Sequence, residues 1–163
     1  MSKFGFTLIP GILLAGFLIL VPVMALSDHL GRSQVVGGIT IYLGLMPVGT
    51  LRENPGVYPA HNPGRLPSGA NMYHVMLALF DNETGKRITD AAVTASVAPL
   101  AFPGSRKPLH PTTIDGKITY CNYFRISPND IYVIKADIRL PGSTTPRRVK
   151  FVLRPDHRRH TGS

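Results

Sequence analysis

The chain has 163 residues, 18 Lys and Arg against 9 Asp and Glu for a formal net charge of +9, and one cysteine with no tryptophan. That length suits a single domain, and the lone Cys121 excludes an intramolecular disulfide, so stability must come from core packing. Serines and histidines are scattered with no nucleophile elbow, no two acids share a strand face, and no phosphate loop, Cys-x-x-Cys or His-Glu-x-x-His occurs, so the chain is read as a non-enzyme.

Met1-Ser2-Lys3 precedes an apolar run from Phe4 to Val23, followed by the small-residue site Val23-Met24-Ala25. This is the pattern of a secretory signal cut after Ala25, although about 20 apolar residues also suffice for a retained anchor. Residues 1–25 are therefore a signal peptide or membrane anchor. The rest is expected in the periplasm or another extracytoplasmic space, with attachment to the inner membrane if the anchor is kept. Residues 26–36 are polar and weakly patterned and read as a linker, 37–155 as the folded domain, and 156–163 as a basic tail.

Ile39 to Met46 alternates, with Ile39, Ile41, Leu43 and Leu45 on one face and Met46 on the other. Pro47 to Gly69, rich in proline and glycine, reads as a long loop because proline lacks a donor and restricts its neighbour. His61 lies in it. Asn71 to Asp81 is the central strand: Tyr73, Val75, Leu77 and Leu79 make a core face, and Met72, His74 and Met76 line the other. Asp81 to Lys86 reads as a turn. Ala91 to Ala98 alternates again, and Pro99 to Pro111 reads as a second proline-rich loop carrying Arg106, Lys107 and His110. Asp115-Gly116 signals a hairpin into Lys117–Phe124. Ile131 to Leu140 and a last strand around Val149, Phe151 and Leu153 complete the pattern. Six or seven short strands, with no helical spacing after Ala25, predict an all-β, immunoglobulin-like antiparallel sandwich, with a small barrel as the alternative.

Thioether, imidazole and thioether at Met72, His74 and Met76 are spaced to converge on a soft ion, with Met46 on another off-core face and His61 delivered by the proline loop. Neutral sulfur and nitrogen donors favour Cu(I), and imidazole accepts either copper state, so copper is the expected metal. Zinc is disfavoured because its usual cysteine and carboxylate ligands are missing from this face. The competing reading is that the methionines only fill gaps in a second packed face. Cys121 is expected to be buried and inert.

The basic excess concentrates in Arg147, Arg148, Lys150, Arg154, Arg158 and Arg159, with Asp156 the only acid among them. Export and the lack of interleaved aromatics exclude nucleic acid as the partner. The remaining candidates are an anionic membrane surface or an acidic patch on a protein. A non-metal interaction module working through the proline loops and this basic end is the alternative to the copper reading.

The stretch Met72-Tyr73-His74-Val75-Met76-Leu77-Ala78-Leu79-Phe80-Asp81, with Thr84-Gly85-Lys86 and Ile88 to Val93 after it, resembles the hairpin of small exported bacterial β-sandwich domains. These include copper carriers of the CopC type and FixH-like membrane-anchored proteins of copper-oxidase assembly. The resemblance covers roughly residues 71–98, and the sequence lacks the mature N-terminal histidine of an amino-terminal copper clamp if cleavage follows Ala25. It implies an exported, copper-linked accessory protein serving storage, delivery or cuproenzyme assembly, with a membrane-bound copper enzyme or assembly factor as partner.

Overall fold

The computed structural model describes residues 31–53 and 66–154. The predicted signal or anchor, His61 and the basic tail lie outside the described residues. Eight strands form, all in antiparallel ladders: β1 (Ser33–Val36), β2 (Ile39–Pro47), β3 (Met72–Asp81), β4 (Ala92–Pro99), β5 (Ser105–Ile114), β6 (Lys117–Arg125), β7 (Tyr132–Arg139) and β8 (Arg147–Leu153), with one short helix, α1 (Val48–Glu53). Among the described residues no helix is long and apolar enough to cross a membrane.

The strands follow the order β1-β2-β3-β6-β5-β4-β7-β8. With β2 to β8 taken as strands A to G, one layer is A-B-E-D and the other C-F-G, the order of an immunoglobulin-like sandwich. β5 joins the layers: its first half, Ser105–Leu109, pairs with β4, and its second half, His110–Ile114, pairs with β6. The predicted sandwich therefore forms, with β1 as an extra edge strand beside A.

Alternation explains which face is buried. Ile39, Ile41 and Leu43 of β2, Val75, Leu77 and Leu79 of β3, Val93, Ala95 and Val97 of β4, and Ile134, Ala136 and Ile138 of β7 meet Tyr120, Phe124 and Phe151 in one core between the layers. Fully burying a Val, Leu, Ile or Phe side chain is worth roughly 1.5–3 kcal/mol, so this cluster is the main source of stability.

Two hairpins carry the chemistry that their turns require. Gly37-Gly38 (φ 53° and 78°) join Val36 to its partner Ile39, and Asp115-Gly116 (φ 48° and 70°) join Ile114 to Lys117. Positive φ at both central residues is the two-residue turn whose twist matches that of paired strands.

Three expectations are corrected. The stretch read as a linker ends in β1, a strand too short and too polar for a periodic signal; it is held by the Gly37-Gly38 turn. The loop read from Pro47 opens with α1, which packs against β2 and β3 and buries Val48 and Leu51. A six-residue helix of this kind is fixed by tertiary burial rather than by its own periodicity.

The second proline loop is instead largely β5, with Pro108 and Pro111 inside the strand. Proline is tolerated where its missing N–H faces no ladder partner, and β5 pairs on only one side in each half. At Pro108 the side facing β6 has no ladder bond, and the Asn122 side-chain amide donates to its carbonyl at 2.6 Å. Nearby, the Lys107 ammonium donates to the Tyr123 carbonyl at 2.7 Å. Side chains thus replace the backbone bonds missing at this corner.

Candidate metal centre

β3 lies between β2 and β6, so the outer face of β3 is shared by three strands. In the ladder, His74 stands directly opposite Met46 of β2 and Tyr123 of β6, while Met76 stands opposite Gly44 and Cys121. Direct cross-strand neighbours have Cβ atoms about 4.5–5.5 Å apart, within mutual reach of long side chains. The adjacency that sequence could only suppose, Met46 beside His74, is therefore present.

Met76 leans toward the β2 side. A Cβ at position 44 would lie 3.0 Å from Met76 Cε, so Met76 leans across the space that Gly44 leaves free. Met46 is two residues further along β2 on the same face. On the other side the Tyr123 ring stacks on His74, with centroids 4.9 Å apart and planes 26° apart, fixing the imidazole's orientation.

Although it points away from the inter-sheet core, His74 is only 3% exposed. Val48 and Leu51 of α1 and Cys121 are likewise buried without belonging to that core. This end of the outer face therefore carries a small buried layer of its own. Removal from water disfavours the imidazolium and pushes the His74 pKa down from 6.5 to about 4, leaving a neutral ring at physiological pH. A neutral imidazole is the form that ligates metal.

Met72 begins β3 in register with Arg125, one step beyond His74 on the same face and half-buried. Met46, His74 and Met76 are thus neighbours in the ladder on one face, Met72 follows on the same face, and His61 lies outside the described residues. No group of three or more His, Cys, Asp or Glu side chains able to hold a metal occurs among the described residues. Among the described residues, the further donors beside His74 on this face are the thioethers. One buried neutral imidazole and two half-buried thioethers in register are soft, neutral donors, the types that favour copper in its reduced state.

Two neighbours were missed because strand adjacency is not written in local pattern. Tyr123 and Cys121 lie on the β6 flank, and His110 of β5 is the register partner of Cys121. Cys121 is buried, its thiol donates weakly to the Thr119 carbonyl at 3.6 Å, and burial pushes its pKa up to about 12. It is kept as the thiol, in line with the inert role expected for it.

No family model matches the chain, and no curated protein matches it in sequence. Among solved structures, FetP of a uropathogenic Escherichia coli strain, as isolated, is similar with a TM-score of 0.59 at 11% identity, over 76% of this chain and 91% of that one. A copper-bound variant of the same protein gives 0.58 at 10% identity, over 77% and 95%. A DUF4426 family protein from Pseudomonas aeruginosa PAO1 gives 0.55 at 22% identity, over 77% and 95%. At such identities the likeness is one of fold, and it supports the resemblance to small β-sandwich domains at the level of architecture.

Proposed function

We propose that the chain is an extracytoplasmic copper-binding accessory protein that holds copper for storage, delivery or assembly of a copper enzyme, without catalysis of its own. The observation that carries this reading is the cross-strand pair Met46–His74, with Met76 leaning toward β2 over Gly44. Met46, His74 and Met76 would hold the ion and Met72 would flank it. Thioethers favour Cu(I) and need no reactive thiolate, which suits an oxidising compartment. The copper-bound state of a FetP variant, a neighbour in fold, supports the same reading. The apolar run 4–23 supports export, with a membrane-bound copper enzyme or assembly factor as the recipient.

The test is retention of Cu(I) after anaerobic loading and desalting, read by elemental analysis. The native protein is expected to keep a stoichiometric amount. Met46→Ala and His74→Ala, each checked for folding by circular dichroism, should bind about tenfold more weakly or worse, since even outer-shell changes cost that much. Equal retention by folded variants would defeat the proposal.

A further inference from the structure

A second surface stands apart from the copper reading and does not depend on it. The outer face of β8, β7, β4 and β5 carries one row in register: Lys150 opposite Lys135, Lys135 opposite Ser96, Ser96 opposite Arg106. Lys135, Lys150 and Arg106 are all exposed. In the next row Asp137 pairs with Arg106 at 2.7 Å and with Arg148 at 3.4 Å. Among the described residues neither lysine has a carboxylate within ion-pair distance. Like charges directly opposite each other destabilise a ladder, so the Lys135–Lys150 pair opposes folding and calls for an anionic counterpart.

The β4–β5 loop ends this face with two large apolar side chains held in water, Leu100 at 63% and Phe102 at 71% exposure. A groove of about 300 Å³ runs between them and Val133, Lys135 and Lys150, so the apolar tip and both lysines border one surface. We infer that this face docks on an anionic lipid bilayer, with Lys135 and Lys150 against the head groups and Leu100 and Phe102 entering the interface. Charge alone would suit an acidic protein equally well. Basic side chains that meet anionic head groups, beside apolar side chains that enter the interface, are the combination that holds peripheral proteins to membranes.

The chain has no tryptophan, so Phe102→Trp installs a single local reporter that is blind to lipid contacts made elsewhere. In the full chain, vesicles containing phosphatidylglycerol should blue-shift this reporter and brominated lipid should quench it, whereas pure phosphatidylcholine vesicles should do neither. About 1 M salt, where screening acts over about 3 Å, should abolish the response. Adding Lys150→Glu reverses one charge, a change of two units, and should lower the ratio of docked to undocked reporter about 30-fold. The same change should raise the urea midpoint, because it turns a repulsive cross-strand pair into an attractive one. No response to anionic vesicles, or an equal response to neutral ones, would overturn the inference. A response to polyglutamate with none to vesicles would assign the face to an acidic polypeptide and overturn it equally.

Discussion

The buried imidazole makes the stability of the metal-free protein depend on pH in a defined window. His74 is held neutral by desolvation, with its pKa pushed down from 6.5 to about 4. A depressed histidine pKa means that the unfolded chain binds the proton first. Stability is therefore complete above about pH 6.5, falls as pH drops from there towards 4, and levels off below. Integrating that shift gives a ceiling of about 2 kcal/mol lost at pH 5 and about 3 kcal/mol at pH 4, part of it recovered by residual solvent. His74→Phe keeps a ring for Tyr123 to stack on and removes the titration. Urea unfolding of both proteins without metal at pH 7.5, 6, 5 and 4 isolates the effect, because the carboxylates that titrate below pH 5 are common to both. The native protein should lose stability relative to the variant by roughly the amounts above. If the two curves run parallel from pH 7.5 to 4, His74 is not buried in its neutral form and the account of the site is wrong.

Cys121, with its thiol pushed up to about 12, should resist iodoacetamide at pH 8 in the folded protein and react about 1,000-fold faster once unfolded, as read by mass spectrometry. Stoichiometric labelling of the native state would contradict its burial. Gly104 permits a close approach: a Cβ there would overlap the Val97 carbonyl oxygen and Ala98 Cα, both backbone atoms that cannot swing aside. Gly104→Ala should cost about 3 kcal/mol in urea unfolding, and a loss below about 0.5 kcal/mol, the usual bound for a neutral surface change, would show that the β4–β5 loop moves freely.

Local pattern determined the face of each strand. Alternation alone separates Val75, Leu77 and Leu79, fully buried, from His74 and Met76 on the other side, because a strand has a period of two whatever its neighbours are. The Asp115-Gly116 turn was legible for the same reason, since positive φ at two successive positions is a demand on those residues themselves. Tertiary structure alone decided the rest. β5 reads as loop from its prolines, and becomes strand because it pairs on one side at a time and Asn122 satisfies the carbonyl of Pro108. α1 and β1 are too short to announce themselves: α1 is held by the surface it covers, and β1 by the Gly37-Gly38 turn it leads into. Met72, His74 and Met76 share a face by sequence, but only the ladder sets Met46 against His74 and closes the other flank with Tyr123. Register is a relation between strands separated by loop and helix, and no single strand contains it.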